Sequence, residues 1–588
     1  MNKPLRICLA SAAALAAACI PLAAWFCATR VPWPLLRAWL MAWTPLLLDA
    51  IILLLALAVI VNAGALWRAA RAIDRRARTL ALVIAAAAVL VSAFVAPRTN
   101  RLYFDEHIYQ SIGQNIALAR VAGMCNDGEF IADDFFIHAA EYNKQPNGYP
   151  HLLSVVYRLL GVREAWAQVM NNALAGLAVL LAFVLARWLA RSDRAGLLAA
   201  LVTALIPQVH LWCSTAAAEP SAMVAAAAGI AALAWYLEAP GARRLFLAVA
   251  ALAYAVYFRP ESLLVLVAAA VMVAAVRPGE LLEPRLCAGA VALAVLIVPE
   301  IIHLAAVRNE AWGNPLGAKF TLSILRDNLA VNGLFYVTSR AFPALVTLGA
   351  LAGALGVWRA ELRWRKLPFI VWALLLWGVF LSFYAGSYGY GVDVRISLVS
   401  LIPLAVLAGM GYDAAATALK ARNAAVIISA LLIANGIQFL PLVRRVSQEA
   451  WQARADIAAA RDFAAMLPDD AVVLTHNPNM FLLWGKSAAQ MSIFTEYRAQ
   501  FENGIRQRYP GGVYLHWNFW CTVPDRLQHS FAVNVTNAFP CTPVADRVFR
   551  GVRYALYRLD DLPRERRDIP PPPPPGARGT VIRMNQGQ

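Results

Sequence analysis

Charge is what this sequence has least of. Aspartate, glutamate, lysine and arginine make up 15% of its 588 residues, while 61% are hydrophobic. A soluble chain averages nearer a quarter charged and half apolar, so a water-solvated globular protein is excluded. Cysteine pairs of the CxxC type are missing, so a structural zinc has no support. There is no internal repeat of the kind that marks many transporters. There is also no basic stripe interleaved with aromatics on which bases could stack, so the net charge of +17 does not indicate a nucleic-acid partner.

What is present is a series of long apolar runs. Several reach the ~20 residues that cross a bilayer. Spans are expected at 8–28, 46–66, 80–96, 165–186, 196–212, 221–237, 245–258, 261–276, 286–305, 335–357, 368–384, 396–412 and 424–441. The first has no clean small-residue cleavage site in "CIPLAAWFCATR", which favours an uncleaved span over a signal peptide. Basic residues gather in short breaks: Arg68 to Arg78, Arg187 to Arg194, and Arg359 to Lys366. The positive-inside rule places these breaks and the N-terminus in the cytoplasm. Thirteen spans then put the C-terminus outside, with the long loop 97–150.

The expected fold class is a polytopic α-helical membrane protein of about thirteen transmembrane helices, with a small C-terminal extracytoplasmic α/β domain. Residues 1–79 hold two N-terminal helices and a basic cytoplasmic loop, and 80–441 the transmembrane core with outer loop 97–150. From 442 to 568 the composition changes. "EAWQARADIAAARDFAAML" has helical apolar spacing, and "AVVLTHNP", "GGVYLHW" and "VRYALYRL" read as strands. Residues 569–588, with the run Pro570 to Pro575, form a basic, disordered tail. Cys521 and Cys541 flank one segment of the outer domain, where a disulfide is permitted. Alanine-rich spans and a preference for Arg over Lys suggest a bacterium with GC-rich coding, and hence its inner membrane.

One stretch stands out, "RLYFDEHIYQSIGQNIA", residues 101–117. It sets Asp105 and Glu106 immediately after an apolar run. A carboxylate pair beside a membrane is costly unless solvated, paired or used. A helix starting near Asp105 would place Ile108, Ile112, Ile116 and Ala119 on one face, lying along the membrane surface. As simple helix caps the two acids would be ordinary. Lys144 shares their loop, however, among Glu141, Tyr142 and Asn143. A carboxylate base and a cation that holds phosphate together serve transfer from a phosphate-linked donor. Arg259 and Arg395 are further cations at outer span ends, where interfacial snorkelling is the plain alternative. Tyr388 and Asp393 lie in "YAGSYGYGVDVR", an aromatic belt or the wall of a sugar or lipid groove. His107 and His138 are secondary candidates, and a divalent cation on the acids or on Asp133 and Asp134 has no support.

Four motifs in order resemble the GT-C glycosyltransferases, in particular the group of dolichyl-phosphate-mannose protein mannosyltransferases and lipid A aminoarabinose transferases. "FDEHIYQSIGQNIA" is similar to the acidic motif that opens the first large outer loop. "YNKQPNGYPHLLSVVYRLLG" resembles the Lys-Pro-Pro, Tyr-Pro stretch, with Lys144-Gln145-Pro146 in place of Lys-Pro-Pro. "STAAAEPSAMVAAAAGIAALAWYL", with Glu219-Pro220, and "YFRPESLLVLVAAAV", with Arg259-Pro260-Glu261, resemble the next outer turns. "DVRISLVSLIPLAVLAG" resembles the late Arg-containing motif. The resemblance spans roughly residues 80–442, and two spans precede the family's usual first one.

The resemblance implies a polyprenyl-phosphate sugar donor, an extracytoplasmic lipid, glycan or protein acceptor, and transfer with inversion, without a cofactor. Asp105 would be the general base, with Glu106 orienting or assisting it. Lys144, Arg259 and Arg395 would contact the donor phosphate, with Glu141, Tyr142, Glu219, Tyr388 and Asp393 as secondary candidates. The competing readings are a lipid-linked glycan ligase or polymerase, a lipid-linked glycan transporter, and an assembly scaffold. Spans nearly free of mid-membrane charge favour an enzyme at a membrane surface over a conduit.

Overall fold

The computed structural model describes residues 3–96, 98, 100–310, 318–356, 360–389, 393–420, 423–445, 451–492, 508–524 and 526–560. The proline run and basic tail, 569–588, lie outside the described residues. Among those described, eight helices are long and apolar enough to cross a membrane, or nine counting one bent pair. That pair, Asp193–Leu205 and Pro207–Cys213, bends by 60°, because Pro207 removes an amide donor and keeps Ile206 extended. Three shorter apolar helices, Pro260–Val276, Ala344–Leu355 and Leu367–Ser382, and the helix Ala242–Val256 lie on further expected spans. The expected run 335–357 is divided: one helix ends at Thr338 and the next starts at Ala344, after Pro343.

The helix Trp33–Arg71 has 39 residues, about 58 Å at 1.5 Å per residue, roughly twice a bilayer's hydrocarbon core. Along it, Asp49 accepts hydrogen bonds from Arg158 (2.7 and 3.0 Å) and Arg120 (2.7 Å), and pairs with His151 at 3.0 Å. This N-terminal helix is thereby clamped to both helices of the 97–160 region, Phe104–Ala119 and Gly148–Leu160.

Outside the helices, seven strands form one sheet in the order β2-β1-β4-β3-β5-β7-β6. β1 (Met124–Ile131) and β2 (Asp134–Glu141) come from the loop 97–150. β3 (Val472–Thr475), β4 (Ser487–Gln490), β5 (Val513–Trp517), β6 (Cys541–Phe549) and β7 (Val552–Leu559) come from the C-terminal part. β1 pairs antiparallel with β4 through Asp127↔Ala489 and Gly128↔Ala488, so this loop and the C-terminal segment share one sheet. The Trp451–Met466 helix packs on it, as its apolar spacing implied. The disulfide that the sequence permits is not formed. Cys521 and Cys541 are both free, their thiols turned to Asn518 and to the Phe539 carbonyl.

Glu129 on β1 receives Arg508 Nε at 2.6 Å and the Tyr509 hydroxyl at 2.9 Å, with His138 beside it at 2.6 Å. Burial alone would push its carboxyl up, but Arg508, His138 and Tyr509 outweigh that and hold it down at about 2. A carboxyl held below its unfolded value stabilises the fold above pH ~4.5, and that contribution fades as pH falls toward 2. The melting temperature should therefore drop between pH 5 and pH 3, and Glu129→Gln should flatten that slope. Equal slopes in thermal scans of both proteins would show that this contact is not responsible.

Candidate active site

The acidic pair divides its two members between opposite sides of one turn. The Phe104–Ala119 helix starts after Tyr103, whose positive φ of 50° turns the chain sharply. Tyr103 is held there by its hydroxyl, which donates to the buried Asp456 of the outer domain. Asp105 keeps 33% of its side chain exposed and accepts from Arg395 Nη1 at 3.4 Å. Glu106 is fully buried and accepts from the backbone amides of Leu102 (3.0 Å) and Ala216 (3.1 Å).

The sequence assigned Glu106 to orient or assist Asp105; its carboxylate holds the Leu102 amide at the helix start and braces the turn 214–218 through Ala216. Asn171 braces the same turn by donating to the carbonyls of Thr215 and Ala217, both at 2.8 Å. Burial pushes the Glu106 carboxyl up to about 8. Glu106→Gln keeps only one of the two acceptor oxygens and is expected to lower the melting temperature by less than Glu106→Ala does. Glu106→Ala would strand two buried amides and cost about 1–3 kcal/mol. Equal melting temperatures for the two variants would remove this bracing role.

That turn delivers Glu219, the first residue of the helix Glu219–Glu238 and fully buried. Its Oε1 lies 2.5 Å from Arg259 Nη1 and 3.2 Å from Arg395 Nε. Pro260 keeps Arg259 extended, so its side chain is shared between Glu219 and Glu261. The result is a continuous row, Asp105–Arg395–Glu219–Arg259–Glu261. Burial of such charges is tolerated only because each has an opposite partner. Among the described residues Glu219 Oε2 has no hydrogen-bond partner, so this row has an acceptor to spare.

The segment that follows Lys144 is tied to elements that carry the row. Tyr109, one helical turn after Asp105 and 1% exposed, donates its hydroxyl to Gln145 Oε1 at 3.2 Å. Two residues past Pro146, the Gly148 amide donates to the Tyr257 carbonyl at 2.7 Å. A Cβ on Gly148 would meet that carbonyl oxygen at 2.5 Å, so only glycine lets the Lys144 segment dock two residues before Arg259. Tyr109, Gln145 and Gly148 were not singled out as site residues from the sequence, although all three sit inside quoted motifs. Their signal was steric and mutual, visible only once the chain is folded.

The remaining candidates fall elsewhere. Glu141 accepts from Asn126 Nδ2 at 2.7 Å, and Tyr142 is buried with its hydroxyl against His303, so both secure the loop. Tyr388 is buried, its hydroxyl 2.8 Å from that of Tyr336 and its amide donating to Asn332, inside an aromatic cluster. The side chain of Asp393 lies outside the described residues. His107 is buried between Asn100 and Asn477, each at 3.0 Å. His138 belongs to the Glu129 contact. Ile108, Ile112 and Ile116 do not face lipid; they pack on Ala122 and Met124, because β1 of the sheet covers that face. No group of three or more acidic, His or Cys side chains with metal-holding geometry exists among the described residues.

No family model and no curated protein sequence matches the chain. Solved structures do match. The chain is similar to ArnT from Cupriavidus metallidurans bound to undecaprenyl phosphate, with a TM-score of 0.53 and 13% identity over 82% of this chain and 98% of that one. The apo state of the same ArnT gives 0.52 and 15%, covering 82% and 97%. The archaeal oligosaccharyltransferase AglB from Archaeoglobus fulgidus gives 0.44 and 14%, covering 81% and 74%. The chain shares the fold of ArnT, the GT-C architecture that the motif series implied.

Proposed function

We propose that this chain is a membrane glycosyltransferase that moves a sugar from a polyprenyl-phosphate donor to an acceptor outside the cytoplasm, with inversion. The observation that carries the reading is the part-exposed Asp105 at the end of a row of two part-buried arginines. This sets a carboxylate suited to act as base beside two guanidiniums suited to an anion. The ArnT that shares this fold was solved with undecaprenyl phosphate, a ligand of the class this row would suit. In this reading the N-terminus is cytoplasmic, and loop 97–150 and the sheet face outward.

Asp105 takes the proton from the acceptor nucleophile as that atom bonds to the anomeric carbon of the donor sugar. The bond from that carbon to the phosphate oxygen breaks, and the phosphate leaves as an anion. One displacement on the face opposite the leaving group inverts the centre, as when a general base activates the nucleophile of an inverting glycosidase. Arg395, Arg259 and Lys144 offset the negative charge where it develops, which is where most of the rate should arise. The proton on Asp105 then passes to water.

The test is reconstitution of the purified protein with radiolabelled polyprenyl-phosphate sugars and a membrane extract as acceptor source. Label should move to an acceptor with stoichiometric release of free polyprenyl phosphate and with the opposite anomeric configuration. Release without inversion, or no release from any donor of the class, would overturn the proposal.

A further inference from the structure

Away from the ion-pair row, the outer domain holds a second basic site. The Trp451–Met466 helix presents Trp451, Arg454, Ala455 and Ala458 along one face, one and two turns apart. Opposite them stands the β6–β7 hairpin with Arg547, Phe549 and Arg550. Between them is an open cavity of about 430 Å³. Its floor is alanine and its walls are aromatic and cationic, with no acidic side chain among its lining residues. Asp462 pairs with Arg547 from outside the groove at 2.5 Å.

The hairpin turn fixes this arrangement. Phe549 pairs with Val552, so Arg550 and Gly551 form a two-residue turn, and both have positive φ, 50° and 78°. Such a turn prefers Asn or Gly at its first position, and an arginine there costs backbone energy. The guanidinium it carries lies 5.3 Å over the Trp451 ring and 5.5 Å over the Phe549 ring. The two rings meet edge-on, 5.7 Å apart.

We infer that this groove binds an acidic saccharide, a sugar carrying carboxylate or phosphate groups. Aromatic faces take the apolar face of a pyranose, the alanines leave room for its ring, and the guanidiniums pair with its oxyanions in fork geometry. The groove is on the opposite side of its helix from Asp456, which holds Tyr103. The inference does not depend on the transferase reading, because binding is measured without turnover.

The experiment uses the full chain in detergent, by titration calorimetry and saturation-transfer NMR. The probes are an oligosaccharide of alternating uronic acid and N-acetylhexosamine, a hexose phosphate, and a neutral N-acetylglucosamine oligomer of equal length. Vesicles containing phosphatidylglycerol form a separate arm. At least one acidic probe should bind while the neutral oligomer does not, and the stronger of the two identifies the oxyanion. Trp451→Ala and Arg550→Gly should each weaken binding about tenfold or more, the loss of a charge-assisted or stacking contact. Glycine accepts the turn's positive φ, so Arg550→Gly should melt no lower than the wild type, which keeps folding and binding separable. Failure of both acidic probes, equal affinity for the neutral oligomer, unchanged affinity in the variants, or capture by vesicles alone would each overturn the inference.

Discussion

Asp105→Asn should lower turnover in the reconstituted assay by about 10²- to 10⁴-fold, the usual contribution of a positioned general base. Asparagine has the same shape and still offers Arg395 a carbonyl oxygen at the place where Oδ2 now sits 3.4 Å from Nη1. The ion-pair row should therefore remain assembled and the fold intact. What the variant loses is the capacity to take a proton. The expected signature is a collapse of kcat with the donor KM nearly unchanged, because the donor phosphate would be held by Arg395, Arg259 and Lys144. A variant that keeps more than about a tenth of wild-type turnover, with the same product, would make Asp105 a partner for Arg395 and nothing more.

Glu219→Gln should damage both stability and transfer. Glu219 Oε1 is the shared partner of Arg259 and Arg395, and it is fully buried. Removing its charge leaves two desolvated guanidiniums close together, with Arg259 held by Glu261 and Arg395 by Asp105 alone. Breaking a buried ion pair from one side costs about 3–5 kcal/mol, and the arginines would lose their fixed orientation. A phosphate brought to the row should restore part of the missing negative charge. Adding polyprenyl phosphate is thus expected to raise the melting temperature of Glu219→Gln more than that of the wild type. Equal shifts in the two proteins would mean that the phosphate does not meet these arginines.

The spans were legible because apolar length is a property of one segment. Each expected run falls on a helix or on the bent pair, and the single division, at 339–343, is made by Pro343. Asp105, Arg259, Arg395 and Glu219 were legible as charges in places where charge is costly. Their order was not. Glu219 seemed secondary and Glu106 primary, and the folded chain gives Glu219 the central place between the arginines and turns Glu106 toward backbone amides. That difference depends on which side of a helix start each acid faces, and this is fixed by the positive φ of Tyr103 and its bond to Asp456, some 350 residues later. Long-range contacts of this kind have no local periodicity to reveal them. The strands β1 and β2 were missed although they pair locally as a hairpin; only the other edge of β1 is completed from afar, by β4.

The shared sheet also imposes an order on the making of the protein. About 360 residues separate Asp127 from its strand partner Ala489. At ribosomal speeds of 5–20 residues per second, the β1–β2 hairpin waits roughly 20–70 s with one edge open. In that interval the remaining helices must be inserted into the bilayer before the partner strands emerge. Unpaired strand edges invite wrong pairing, and such late, distant closure is intrinsically slow. A nascent chain arrested before residue 487 would expose that edge to proteases or to a folding helper on the outer face, whereas the finished chain would not. The helix carrying Asp105 would reach its final setting only in the last moments of synthesis, when Asp456 and the strands after it arrive.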